Sequence, residues 1–188
     1  MNAPFTAAAA VRALAAGKVT SQALVEAAID RIEQVDGKLN SFVLVLAEAA
    51  RKAAKAADRA RKAGKKGALL GIPFALKDIY ETAGVRTTAH SRLLIDHVPT
   101  ADSTAARKIR EAGGILVGKL ATHELANGGP SFDLPWPPAR NRARRPATPD
   151  GRRGARSSRT QFGAAPPRIV PGREGPAVRA AGVDRRVF

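Results

Sequence analysis

The composition of this chain changes abruptly near Asn141, and the change limits which residues can build a folded core. Residues 1–139 contain ten lysines and nine arginines, whereas residues 140–188 contain thirteen arginines and no lysine. The second part is also rich in Pro and Gly, and two phenylalanines are its only aromatic residues. Folded domains rarely abandon lysine so completely, so we expect the ordered core to lie within residues 1–141.

The charge of the chain follows the same division. A formal net charge of +16 suggests a nucleic-acid partner, because basic patches neutralise phosphates and release counterions. Residues 1–139, however, carry 19 basic and 13 acidic side chains, against 13 and 3 in residues 140–188. The part with the larger excess has almost no aromatic residues for base stacking. The distribution therefore argues against a nucleic-acid role.

Several classes of site and location are excluded on composition. The chain has no cysteine, so disulfides and cysteine metal sites are excluded. His90, His97 and His123 lack the close spacing of metal ligands, so no metal site is expected. The sequence shows neither a secretory signal nor an apolar run of the ~20 residues that a membrane span needs. We therefore expect a cytoplasmic protein that does not interact with membranes.

The first half of residues 1–141 has a mainly helical pattern. Thr6 is placed to cap a short Ala-rich helix, and Ser21 opens a longer helix with apolar residues at helical spacing. Residues 41–46 are apolar and β-branched, which predicts a short strand or a buried turn. Residues 47–63 predict a helix whose charged residues form a solvated face.

The second half alternates strands and a helix. Residues 71–76 predict a buried strand that starts at a proline, and residues 115–117 predict another. Between them, Asp102 or Ser103 is placed to cap a helix, and Thr122 to cap a short one afterwards. Strand, helix and strand joined by glycine turns predict a largely parallel or mixed sheet.

Two lysines stand at the ends of the predicted strands. Lys77 directly follows the first apolar run, so its simplest interpretation is that it reaches solvent or pairs with Asp78. A sharper interpretation is that burial lowers the pKa of the Lys77 amine, which then acts as a general base near neutral pH. Lys119 has the same ambiguity with weaker support.

Five blocks of sequence, taken in order and with their spacing, resemble the amidase signature family. They are Gly71–Asp78, Ala83–Ser91, Ala112–Lys119, Thr122–Ser131 and Phe132–Asn141, and the resemblance covers residues 5–141. One departure is His90, where the family usually has Gly. The resemblance implies an α/β fold, the N-terminal part of a domain in which helices flank a mixed β-sheet.

The resemblance also implies a chemistry. Members of the family hydrolyse amides, or transfer their ammonia, through a Ser–Ser–Lys triad, without a metal or organic cofactor. Lys77 matches the lysine of that triad. Gly128, Gly129 and Ser131 match the loop that lines the substrate site, although the two glycines are equally well explained as turn residues.

The serines of the triad have no counterpart in this sequence. The family places them in Gly- and Ser-rich blocks shortly after the position of Asn141, where this chain becomes Arg-rich. Ser157 and Ser158 are the only serines after that point, and no Gly-rich block surrounds them. We therefore interpret residues 1–141 as the N-terminal part of an amidase domain, and residues 142–188 as a frame-shifted or disordered tail. The expected product is inactive, with strands at 72–76 and 115–117 that lack sheet neighbours.

Three functions remain open. The first is hydrolysis of a small carboxamide. The second is the reaction of the A subunit of aminoacyl-tRNA amidotransferase, which takes ammonia from glutamine; it ranks lower because residues 132–138 look more like stand-alone amidases. The third is a non-enzymatic module that binds acidic partners through the Arg-rich tail. The partners left open are an amide substrate, a second copy in a homodimer, and amidotransferase subunits.

Overall fold

The computed structural model describes residues 6–129 and 132–140, which form four helices around a three-stranded sheet. In chain order the elements are α1 (Ala7–Ala15), α2 (Ser21–Leu39), β1 (Phe42–Val45), α3 (Ala47–Lys62), β2 (Pro73–Lys77), α4 (Thr104–Glu111) and β3 (Ile115–Leu120). Two short 3₁₀ turns lie at Arg92–Leu94 and Glu124–Ala126. No helix in these ranges has the length and apolar character needed to cross a bilayer.

The sheet has the order β1-β3-β2 and is mixed. β3 runs parallel to β2 and antiparallel to β1. The predicted α/β fold with a mixed sheet is therefore confirmed. The prediction that the strands lack neighbours is wrong for β3, which has a neighbour on each side; among the described residues β2 pairs with β3 alone and lies at the edge of the sheet.

Each face of the sheet is covered by helices. On one face, α2 and α3 pack against β3 through a cluster of buried residues: Val25, Ile29, Ala50, Ala54, Ala57, Leu70, Ile115 and Val117. On the other face, Ala106 of α4 packs against Leu76 of β2 and Leu116 of β3. Burial of these apolar faces is the main stabilising contribution in such a fold.

Most helix starts agree with the predicted caps. The Thr6 hydroxyl accepts a hydrogen bond from Ala9 N, and α2 begins at Ser21, with Thr20 as its capping residue. Ser103, rather than Asp102, caps α4. The prediction that Thr122 caps a helix is wrong, because the following 3₁₀ turn starts after His123 without a side-chain cap.

Asp58 of α3 supplies a second cap to α2 from outside that helix. Its carboxylate accepts hydrogen bonds from Ser21 N at 2.7 Å and from Gln22 N at 3.1 Å. Burial acts to raise the pKa of Asp58, but the hydrogen bonds from Ser21 and Gln22 outweigh it, so the pKa of this carboxyl lies below its ordinary value. The contact joins α3 to the start of α2.

Two glycines are required where backbones approach closely. A Cβ on Gly118 of β3 would lie 2.4 Å from Leu44 O of β1, so only glycine allows these strands to pair here. Gly113 has a φ of +93°, and a Cβ there would lie 2.7 Å from Leu70 Cα. Glycine adopts positive φ without the steric cost that other residues incur, and Gly113 thereby turns the chain from α4 into β3.

Candidate functional site at the ends of the parallel strands

Lys77 is the last residue of β2 and is exposed. It borders a cavity of about 250 Å³ that we call the Lys77 pocket; the other lining residues are His90, Ala121, Thr122, His123, Pro138 and Ala139. The carboxyl ends of parallel strands are where α/β folds usually place their ligands. The burial that the sharper interpretation of Lys77 requires is absent among the described residues.

Asp78 does not pair with Lys77, because consecutive residues of an extended chain point to opposite faces. Asp78 is fully buried and lies on the same face as Lys119, which is also fully buried. Its Oδ1 lies 3.4 Å from Lys119 Nζ. This oxygen has no hydrogen-bond partner among the described residues, so the contact is ionic rather than a well-formed hydrogen bond.

Lys119 is the lysine that this structure buries. Its ammonium donates hydrogen bonds to the Thr87 hydroxyl and, at 2.9 Å, to the carbonyl oxygen of Tyr80. Burial lowers the pKa of Lys119, and the nearby Asp78 carboxylate opposes that shift by favouring the charged form. The desolvation that we expected at Lys77 therefore acts on Lys119.

The buried pair of Asp78 and Lys119 holds the loop between β2 and α4. Asp78 Oδ2 accepts hydrogen bonds from Thr88 N at 3.0 Å and from Thr88 Oγ1 at 2.6 Å. The Asp78 carbonyl accepts another from Ala89 N at 2.8 Å. Because Asp78 follows Lys77 directly, this network fixes the backbone that carries Lys77 together with the loop that reaches His90.

His90 lines the Lys77 pocket, and sequence reasoning did not assign it to a site. It is 2% exposed and has a φ of +57°, next to Ala89 at +48°. Non-glycine residues seldom adopt this region, so the Gly that the family resemblance leads us to expect here would be less strained. The departure from that expected Gly was the signal in the sequence that could have identified His90.

Residues 132–140 form a strap along one side of the Lys77 pocket. Arg92 Nη2 donates to the carbonyl of Asp133 at 2.5 Å, and Arg140 N donates to the carbonyl of Leu39 at 2.7 Å. Asn40 Nδ2 donates to the carbonyl of Pro138 at 3.3 Å. The strap therefore crosses from the loop before α4 to the end of α2, and its Pro138 and Ala139 line the pocket.

The remaining predicted site residues lie elsewhere. Gly128 and Gly129 are exposed, and they do not line the Lys77 pocket. Gly128 has a φ of +75°, as a turn residue would. Ser131 lies outside the described residues. Within the described part of the chain, no three His, Asp or Glu side chains are grouped as metal ligands.

Comparisons with known proteins identify a family. The model of the Amidase family matches residues 23–149. The A subunit of glutamyl-tRNA(Gln) amidotransferase from Chromohalobacter salexigens is 42% identical over 153 residues, which are 81% of this chain and 32% of that protein. Its counterpart from Gluconobacter oxydans is also 42% identical, over 73% of this chain and 28% of that protein.

Solved structures show the same similarity. Native peptide amidase from Stenotrophomonas maltophilia superposes with a TM-score of 0.62 and 32% identity, over 66% of this chain and 26% of that one. A vestigial complex related to the origins of an s-triazine catabolic enzyme gives a TM-score of 0.69 and 28% identity, over 73% and 31%. The chain spans about a third of the length of the curated relatives it matches. The match of the family model over most of the chain shows that it belongs to the amidase signature family.

Proposed function

We propose that residues 1–141 are the lysine-bearing part of an amidase that cleaves a carboxamide C–N bond. The observation that carries the proposal is the position of Lys77, which ends a parallel strand and presents its amine at the edge of a pocket. In the proposed mechanism Lys77 exchanges a proton with a serine, which in turn activates a second, nucleophilic serine. Attack on the amide carbon then gives an acyl-enzyme and releases the amine.

The two serines are not assigned to this chain. Ser157 and Ser158 lie in an Arg-rich segment, and a lysine without its nucleophile has lost the covalent mechanism. We propose that the 188-residue chain is inactive as an amidase. Lys77 would then act only where the serine-bearing blocks follow residue 141, as a shift of the reading frame would provide.

The experiment compares two proteins. The first is the 188-residue chain, and the second is the product of the coding region restored to the frame that supplies the Gly- and Ser-rich blocks. We expect carboxamide hydrolysis from the second protein alone, with a loss of several orders of magnitude in Lys77→Ala. Lys55→Ala, on the exposed face of α3, is the matched control. Substantial activity in Lys77→Ala would remove Lys77 from the mechanism.

A second candidate function is supported by the identity of the curated relatives. Both of those named above are amidotransferase proteins, which favours glutamine as the amide and other subunits as partners. The same restored protein discriminates between the two: release of ammonia from glutamine only with partner subunits would favour the amidotransferase reaction. Hydrolysis of simple carboxamides by the protein alone would favour the stand-alone amidase.

A further inference from the structure

The ring of His90 makes two hydrogen bonds that together select one form of the imidazole. Its Nε2 lies 3.2 Å from the carbonyl oxygen of Trp136, which only accepts hydrogen bonds. Its Nδ1 accepts a hydrogen bond from Thr122 N at 3.5 Å. Nε2 must therefore carry a proton and Nδ1 must not. Only the neutral tautomer with its proton on Nε2 satisfies both contacts.

The backbone of His90 is fixed independently of its ring. His90 N donates to Thr88 Oγ1 at 3.1 Å, and the carbonyl of the preceding Ala89 accepts from Leu125 N at 2.8 Å. Ala89 and His90 both have positive φ, which is sterically unfavourable for residues other than glycine. Such strain persists only where the surroundings determine the conformation. The ring is therefore aimed at the strap by a rigid loop.

The partner of His90 is the middle of the strap. The ring packs edge to face on Trp136, with centroids 5.4 Å apart, and the Arg86 guanidinium lies 5.9 Å from the indole centroid. The other strap contacts lie toward its two ends, at Asp133 and Pro138. His90 thus holds the strap beside its pocket-lining Pro138 and Ala139.

We propose that neutral His90 is a positioning residue: through the hydrogen bond from its Nε2 to the Trp136 carbonyl, it clasps the 132–140 strap against the Lys77 pocket. The ionisable and charged groups around His90 are Lys77 and His123 in the pocket, Arg86 above Trp136, and Asp78 and Glu124, which contact the neighbouring Thr88 and Ser91. Both carboxylates are already bonded to those hydroxyls.

The clasp itself does not depend on amide chemistry, whereas its use in shaping a substrate site rests on the proposed function. Loss of the clasp would free the strap and leave Lys77 without the Pro138 and Ala139 side of its pocket. Every readout below is free of turnover and so separates the two proposals.

The first test uses Trp136, the only tryptophan of the chain. At a fixed pH of 8, we expect the Trp136 emission of His90→Ala to be weaker and shifted to the red relative to the unmodified 188-residue protein, with unchanged far-UV circular dichroism. In His90→Gln the side-chain amide still donates to the strap, so the emission should stay close to that of the unmodified protein. His123→Gln, in the same pocket, should also leave the emission unchanged. Unchanged emission in His90→Ala, or an equal change in His123→Gln, overturns the proposal.

The second test asks whether the clasp shapes the pocket. At a fixed pH of 8, acylation of Lys77 by a small amine reagent is measured by mass spectrometry relative to Lys55 on α3. We expect severalfold faster relative labelling in His90→Ala and little change in His90→Gln, which still donates to the strap. Equal labelling in His90→Ala and the unmodified chain contradicts a role in the pocket.

A third measurement concerns the tautomer of His90. In the unmodified protein, nitrogen NMR at pH 8 must show the proton on Nε2; a proton on Nδ1 refutes the clasp.

Discussion

Replacement of Lys119 by methionine should destabilise the fold more than any surface substitution. Both Lys119 and Asp78 are fully buried, and their charged atoms lie 3.4 Å apart. Methionine keeps most of the length of the lysine stem but removes the ammonium. It leaves the Asp78 carboxylate with the two Thr88 donors and no opposite charge. The carbonyl of Tyr80 also loses the hydrogen bond that it accepts from Lys119.

The expected loss of stability follows from the uncompensated charge of Asp78. Breaking a buried ion pair by removing one partner costs about 3–5 kcal/mol, which is a large part of the ~5–15 kcal/mol by which a typical domain is stable. Removing both charges is less costly, because neither group is then left buried and unpaired. We therefore expect Asp78→Asn to reduce the penalty of Lys119→Met by at least ~1 kcal/mol.

Urea unfolding followed by far-UV circular dichroism measures the free energy of unfolding of the original protein, of Lys119→Met, of Asp78→Asn and of the double variant. Lys55→Met, at an exposed position on α3, controls for the chemical change and should stay within ~0.5 kcal/mol of the original protein. The reasoning is refuted if Lys119→Met costs less than ~1 kcal/mol, or if it costs the same with Asp and with Asn at position 78. Either result would mean that the ion pair is solvated in the folded protein.

The other predictions concern the caps, the turns and the gene. Asp58→Ala should lower the free energy of unfolding by ~0.5–2 kcal/mol, because α2 loses its external cap. The stability that Asp58 contributes is present above pH 3.8 and is lost as the pH falls through its lowered pKa. The variant should therefore lose less stability than the original protein when both are titrated with acid. Gly113→Ala should destabilise more than Gly17→Ala in thermal melts, since both have positive φ but only the Cβ at Gly113 meets backbone; equal losses would contradict the close-approach argument. Sequencing the coding DNA from codon 135 onward should reveal a Gly-Ser-rich block in another frame, and its absence from all three frames would make the Arg-rich tail genuine.

Much of the fold could be predicted because its signals are local. Thr6, Ser103 and the glycine after α4 mark helix ends through their own hydrogen bonds or dihedral angles. The apolar runs at 71–76 and 115–117 were recognisable as strands because both faces of the sheet are covered, so neither run alternates with polar residues. The pairing of these runs with each other follows from their connection by a helix.

The site was less predictable because its contacts are distant in sequence. Lys119 resembled Lys77 as a lysine at a strand end, and nothing local showed that the register would bury one and expose the other. The register shifts between Phe74 and Ala75, and a shift of one residue exchanges the faces of a strand. The roles of His90 depend on Trp136, which is 46 residues away.

The strap also has a consequence for the order in which the chain acquires its structure during synthesis. The bond between Asn40 and Pro138 spans 98 residues, against 46 for that between His90 and Trp136. Closing the longer loop costs about 0.7 kcal/mol more in chain entropy. A growing chain contains the three strands of the described part by residue 120, whereas the strap is complete only at residue 140. Translation that stops or changes frame between these points would therefore leave these three strands paired and Lys77 without the strap beside it.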